Sequence, residues 1–142
     1  MSDDVSSAPQ SGVFHPPRAL SRKSLLPILY LAERMASADN EAVRRETRII
    51  DQLAQAAGMD RFRDDPDFKR LNEELAFKSI GSDLAKKATL VILSLILKAD
   101  VRRKDDEHEY FSRVREHLGA APITVPIEKE AHTKLALEYV QD

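Results

Sequence analysis

Residues 88–97 read Ala-Thr-Leu-Val-Ile-Leu-Ser-Leu-Ile-Leu, the most apolar stretch of the chain, and lie between Lys87 and Lys98. Ten residues are about half of what a bilayer-spanning helix needs, so a membrane span is not expected here. A helix that is apolar on all sides is typical of the centre of a helical protein. The stretch therefore predicts a buried central helix from about Gly81–Asp83 to Lys98.

Helical periodicity continues on both sides of this central helix. Apolar residues recur at spacings of three and four, which is the period of an amphipathic helix. The segments with this pattern are residues 24–37, 42–57, 66–77, 104–118 and 127–140. Ile123-Thr124-Val125 is too short for a strand and lies between prolines. We therefore predict an all-α fold, a single helical domain of about six helices over residues 24–142.

Residues 1–23 differ in composition from the rest of the chain. They contain Pro9, Pro16, Pro17 and several serines, and they lack apolar periodicity. Such a segment buries too little apolar surface to offset the entropy of ordering it, so we expect a flexible N-terminal tail. A secretory signal is not expected, because its start should be positively charged whereas Asp3 and Asp4 occupy that region here.

One constant shift aligns two parts of the chain, residues 29–58 and residues 90–119. The matched pairs are Leu29 with Leu90, Ala38 with Ala99, Asp39 with Asp100, Glu46 with Glu107, and Gly58 with Gly119. Each part reads as an apolar helix, an Ala-Asp end, a short loop, a Glu that opens a second helix, and a Gly. One such helix pair exposes an apolar face, so two copies can pack together. The pattern predicts a duplicated helical unit.

The polar matches in this repeat suggest a metal site. Asp39 precedes Glu46 by the same interval that separates Asp100 from Glu107. This interval, across a helix–loop–helix corner, can bring two carboxylates to one side of the loop, and two such corners can bring four together. Oxygen donors without cysteine suit a hard cation such as Ca²⁺, Mg²⁺ or Mn²⁺. In the alternative interpretation, these acids only end or cap helices, where a carboxylate near an N-terminus is stabilising.

The first corner also resembles a known family. Residues 29–46, Leu-Tyr-Leu-Ala-Glu-Arg-Met-Ala-Ser-Ala-Asp-Asn-Glu-Ala-Val-Arg-Arg-Glu, resemble the opening of the tellurite-resistance TerB-like domain, whose pattern is an apolar helix, Ala-Asp-Gly, and a Glu in the next helix. Residues 97–100 followed by Glu107 resemble its second corner. The family's Gly is replaced by Asn40 and Val101.

This resemblance implies an all-helical domain built from a duplicated unit. It also implies a metal-chelating acidic cluster, which in this chain would be Asp39, Glu46, Asp100 and Glu107. The family is associated with tellurite and stress resistance near the bacterial membrane and not with an enzymatic reaction. The implied partners are other proteins, with peripheral association at membrane complexes.

The composition restricts the remaining function classes. With 22 basic and 24 acidic residues and a net charge of −2, the chain lacks the basic excess of a nucleic-acid binder. It has no cysteine, which excludes thiolate metal sites and a thiol nucleophile. No nucleophile elbow, P-loop or dinucleotide fingerprint is present. We therefore expect a cytoplasmic protein that is not an enzyme.

Two further expectations concern the surface. The spacing of His108 and His117 places them on opposite sides of one helix, so they are expected to be solvated rather than to share a metal. The alternative function is a metal-free helical module for protein–protein interaction. Its binding groove, between the two repeats, would receive a partner helix or a tail.

Overall fold

The computed structural model describes residues 20–37, 44–99, 105–119 and 123–141, with side chains of residues 44–46, 99 and 105–107 excepted. Within these ranges the chain forms helices and no strand, so the prediction of an all-α fold is confirmed. The helices are α1 (Arg22–Ala36), α2 (Arg44–Ala56), α3 (Pro66–Lys69), α4 (Glu73–Ser79), α5 (Asp83–Ala99), α6 (Asp105–Leu118) and α7 (Lys129–Val140), and a 3₁₀ turn spans Phe62–Asp64.

Helix α5 is the central helix that the apolar stretch predicts. It packs against α1, α2, α6 and α7. Its side chains Val91, Ile92 and Leu93 are consecutive and all buried, as expected for a helix covered on all sides. The hydroxyl of buried Thr89 donates to the carbonyl of Ala85 at 2.7 Å, so this polar group is satisfied within the helix.

Helix α1 begins earlier than the sequence predicts. The sequence predicts Ser24 as the N-cap, which would place Pro27 in the first turn. That prediction is wrong, because the residue that caps α1 is Ser21, whose hydroxyl accepts from the backbone N–H of Ser24 at 3.2 Å. Pro27 therefore lies in the second turn and not in the first. Pro27 cannot donate to the carbonyl of Lys23, but that carbonyl belongs to an exposed residue of the first turn, where water can replace the missing donor.

The glycines predicted to stop α2 and α6 do so. Gly58 has φ of 71° and Gly119 has φ of 62°, in the left-handed region that favours glycine. After α2 the N–H of Gly58 binds the carbonyl of Gln55 at 3.0 Å, and the N–H of Met59 binds that of Ala54 at 2.8 Å. These two bonds form a Schellman motif, which satisfies carbonyls at the helix end.

The single helix predicted over residues 66–77 is two short helices, α3 and α4. The sequence Asp64-Asp65-Pro66 is typical of a helix start, and Asp65 caps α3, with its carboxylate accepting from the N–H of Asp67 at 2.8 Å. Asn72 starts α4 by accepting from the N–H of Leu75 at 2.9 Å. An Asn side chain that bonds to nearby backbone competes with a continuous helix, which explains the break.

The buried face of helix α7 is shifted from the predicted one and shares Val140 with it. The sequence predicts a stripe of Ile127, Ala131, Leu135 and Val140, but Ile127 precedes the helix and is 93% exposed. The buried residues are His132, Ala136, Tyr139 and Val140. The prediction followed apolar residues alone, whereas His and Tyr have apolar bodies that pack well in a helix interface.

Candidate functional site

The two helix pairs of the predicted repeat begin at equivalent residues. Helices α1 and α5 begin at Arg22 and Asp83, and α2 and α6 begin at Arg44 and Asp105, so both pairs start in the register that the repeat predicts. Equivalent core positions are buried in both pairs, as Leu31 and Ile92 illustrate. Each pair packs helix against helix, and α1 also packs against α5. The duplicated helical unit is therefore present in the structure.

Two of the four predicted metal ligands belong to described helices, at the start of the second helix of each pair. Glu46 is the third residue of α2 and Glu107 is the third residue of α6. Asp39 and Asp100 lie outside the described residues, as do the side chains of Glu46 and Glu107. Convergence of the four carboxylates therefore stays a prediction. The first-turn position of both glutamates suits either cation binding or helix capping.

The potential metal ligands of the described chain are dispersed. Within those residues no cluster of three or more His, Asp or Glu side chains could hold a metal ion. His108 and His117 are both exposed, in agreement with the prediction. The ring of His117 stacks on Phe77 with 4.4 Å between centroids and 5° between planes, which joins α6 to α4.

Arg63 joins α1, α2 and the 3₁₀ turn. Its Nε lies 2.8 Å from Oε1 of Glu33 and its Nη2 lies 3.0 Å from Oε2, while its Nη1 lies 2.8 Å from Oδ1 of Asp51. The guanidinium also lies 4.5 Å from the ring centre of buried Phe62. These bonds, that to Glu33 above all, raise the pKa of Arg63 above its usual range. No helical spacing rule relates Arg63 to Glu33 or Asp51, because these residues are too far apart in the sequence.

Replacing Arg63 with methionine is expected to lower the free energy of unfolding by about 1–2 kcal/mol, since the partly exposed network loses charge-assisted hydrogen bonds. Urea unfolding measures the change. The matched control is Arg61→Met in the same turn, where the side chain is 88% exposed and pairs with Asp64 at 3.5 Å. Equal losses in the two variants would contradict a structural role for the Arg63 network.

Tyr110 is buried where α6 faces α4, beside half-buried Glu73 and exposed Arg113. Its hydroxyl has no hydrogen-bond partner among the described residues, and neither has Oε2 of Glu73. That oxygen lies 3.6 Å from Nη2 of Arg113, whose guanidinium is 5.0 Å from the Tyr110 ring centre. Burial, followed by the nearby Glu73 carboxylate, raises the pKa of Tyr110. The phenol therefore stays protonated and is unsuited to act as a base.

His132 and Lys98 attach α7 to the central helix. Nε2 of fully buried His132 lies 3.0 Å from the carbonyl oxygen of Val91, and its Nδ1 has no partner in the described part of the chain. Lys98 donates to the carbonyls of Pro126 at 2.6 Å and Ile127 at 3.0 Å. Burial, and then the charge of Lys98, lowers the pKa of His132. The imidazole is therefore neutral and donates from Nε2 to Val91.

A groove of about 570 Å³ lies between the first half of α1 and the α3–α4 segment. Leu26, Pro27 and Leu71 give it an apolar floor. Its rim carries both signs of charge, from Arg22, Lys23, Asp65 and Asp67. The volume is within the range of sites that accept small ligands or side chains. The interaction-module hypothesis places a groove between the repeats, whereas this one borders the segment that joins them.

Among protein-family models, curated proteins and solved structures, none matches this chain. The TerB-like resemblance therefore rests on the corner residues quoted above. None of the described helices is long and apolar enough to cross a membrane.

Proposed function

We propose that this chain is a non-enzymatic TerB-like stress-response domain that binds a divalent cation at its two acidic corners. The observation that supports this proposal is the common register of Glu46 and Glu107, each the third residue of the second helix in its repeat unit. With Asp39 and Asp100 they would supply the four oxygen donors that Ca²⁺, Mg²⁺ or Mn²⁺ prefers. The domain would act in the bacterial cytoplasm, in peripheral association with membrane complexes.

The double substitution Glu46→Gln with Glu107→Gln is expected to abolish cation binding, because each amide keeps the size of the side chain but removes its charge. Calorimetric titration with Ca²⁺, Mg²⁺ and Mn²⁺ measures the loss. In the unaltered chain, a cation at one hundred times its Kd should add about 2.7 kcal/mol to the free energy of unfolding.

The matched control is Glu109→Gln with Glu116→Gln, which removes two charges from exposed positions of α6 away from its first turn. This control should bind the cation as the unaltered chain does. A heat of cation binding, or a stabilisation by the cation, that remains after the corner substitution would contradict a site at the corners. Equal losses of cation binding in the two double variants would contradict it as well.

The second candidate function is a metal-free module that binds a protein segment. The observation that favours it is the groove beside α1, where an apolar floor lies next to two basic and two acidic residues. In this case Glu46 and Glu107 stabilise the first turns of α2 and α6, and their substitution lowers stability without any cation. The same titrations separate the two candidates, because this one requires that the unaltered chain bind no cation.

A further inference from the structure

Polar contacts hold helix α7 at both ends and in between. Before α7 begins, Lys98 donates to two carbonyls of the segment that leads into it. Near its end, the N–H of Leu20 donates to the carbonyl of Tyr139 at 2.7 Å. Between these contacts, His132 donates to the carbonyl of Val91 on α5 at 3.0 Å. Histidine is the side chain whose charge ordinarily changes between pH 5 and 8, so this contact differs from the other two.

Protonation would give the His132 ring a donor that no described residue can satisfy. A carbonyl oxygen only accepts, so Nε2 carries the hydrogen in the contact with Val91, and an added proton would bind Nδ1. Nδ1 is buried without a partner in the described part of the chain, and the whole residue is 0% exposed. A buried charge without a partner is strongly destabilising, so a protonated ring would require water.

Helix α5 provides no negative charge to compensate an imidazolium. The α5 side chain whose charge acts on His132 is Lys98, which is itself positive. Lys86 and Lys87 are also positive and lie in the first two turns of α5. The acidic residue of this helix, Asp83, is its first residue. The charges of α5 therefore oppose protonation of the buried ring.

The described charges of α2 and α7 are directed elsewhere. On α2, Arg48 is exposed, and Asp51 is exposed and already in an ion pair. On α7, Glu128 and Lys129 lie one turn before His132, and both are exposed and opposite in charge. The positions one turn after His132 hold leucine and alanine. The imidazolium would therefore find no acceptor among these side chains while α7 stays in place.

Helix α7 can separate while the other described helices keep their mutual contacts. It packs against α5 and α2, whereas α1 packs against α2, α4, α5 and α6 without it. Only four of the twelve residues of α7 are buried. A peripheral helix with few buried side chains opens at a lower free-energy cost than the whole domain.

We propose that α7 is an acid-released lid, in which protonation of His132 at Nδ1 frees α7 from α5 and α2 while the other helices stay folded. Release brings the imidazolium into water and uncovers apolar side chains that are buried at neutral pH. The device requires neither a cation at the corners nor an occupant of the groove. It therefore goes beyond both candidate functions.

The pH dependence of release has a defined sign. Burial, and then the charge of Lys98, keeps the pKa of His132 below the ordinary value of 6.5, which the ring regains when α7 is released. Below about pH 6.5 the released state therefore binds a proton that the attached state does not. The ratio of released to attached α7 should rise about tenfold per pH unit, until the pH reaches the pKa of the attached ring.

The test is amide hydrogen exchange of the full chain between pH 7.5 and pH 5, followed by mass spectrometry and corrected for the intrinsic effect of pH on exchange. Amides of α7 should lose protection about tenfold per pH unit below about pH 6.5. Low concentrations of urea should change their exchange little, because release exposes little surface. Amides of α1 should exchange more slowly at each pH and should respond steeply to urea, as global opening requires.

Two variants assign the effect to the buried ring. His132→Gln keeps a donor for the carbonyl of Val91 but does not titrate, so protection of α7 should change little with pH. The matched control is His117→Gln, which removes an exposed histidine of α6 and should keep the pH dependence of the unaltered chain. If His132→Gln by itself frees α7 or unfolds the chain, the pH and urea dependence of the unaltered chain still decides, since those measurements need no variant.

Three results would overturn the proposal. The first is protection of α7 that stays constant between pH 7.5 and pH 5. The second is exchange of α7 amides that is as slow and as steeply dependent on urea as that of α1 amides, which would mean that acid acts on the whole domain. The third is an unchanged pH dependence in folded His132→Gln, which would assign release to another group.

Discussion

Replacing Leu93 with alanine is expected to lower the free energy of unfolding by about 2–5 kcal/mol. Leu93 is fully buried in α5, the helix that packs against α1, α2, α6 and α7. The truncation removes apolar contacts and leaves a cavity that rigid neighbouring helices can close only in part. Such a loss is a large fraction of the stability of a domain of this size.

Urea denaturation followed by circular dichroism measures this loss. The control is Leu84→Ala, the same substitution in the same helix at a side chain that is 36% exposed, and its effect should be well under half as large. Similar losses for Leu84 and Leu93 would contradict the central position of α5, since burial is the variable that separates them.

Acidification is expected to destabilise the protein through His132. This imidazole is buried and neutral in the folded chain, so its pKa lies below the ordinary value of 6.5 that it regains on unfolding. Below about pH 6.5 the unfolded chain therefore binds a proton that the folded chain does not. Stability falls by about 1.4 kcal/mol per pH unit from this one group, until the pH reaches the native pKa.

The comparison that isolates this group is His132→Gln, because the glutamine amide can still donate to the carbonyl of Val91 but does not titrate. Unfolding free energies measured in urea between pH 7.5 and pH 5 should fall less steeply for the variant. Exposed His108 and His117 are present in both proteins, so their contributions to the pH dependence cancel when the two profiles are subtracted. Parallel pH profiles would show that His132 keeps a normal pKa in the folded chain.

Local physical chemistry explains which parts of the fold the sequence predicts correctly. The central helix follows from a run of apolar residues, and the ends of α2 and α6 follow from Gly58 and Gly119, which adopt positive φ. The internal repeat predicts two equivalent helix pairs, since similar sequences bury similar faces. The break at Asn72 also depends on local residues. The sequence does not predict it, because an Asn that can cap a new helix can also be accommodated inside a continuous helix.

One candidate site follows from sequence spacing, whereas the other depends on how separate elements pack. The corner carboxylates are a prediction from spacing and resemblance, and Glu46 and Glu107 occupy equivalent helix positions as that spacing requires. The groove that the interaction-module hypothesis places between the repeats stays a prediction, whereas the groove described above lies beside α1 and the joining segment. Its floor combines Leu26 with Leu71, which no periodicity relates because they belong to different elements.

The amino-acid sequence is sufficient to predict the helical class, the central helix, the glycine-terminated helix ends and the duplicated unit. Each depends on residues within a few turns of one another, or on a repeat that can be recognised in the sequence. The Arg63 network with Glu33, the burial of His132 against Val91, and the position of the groove depend on how the helices pack. These features pair residues that are 30 or more positions apart, and such pairs form only when helix packing fixes which faces meet.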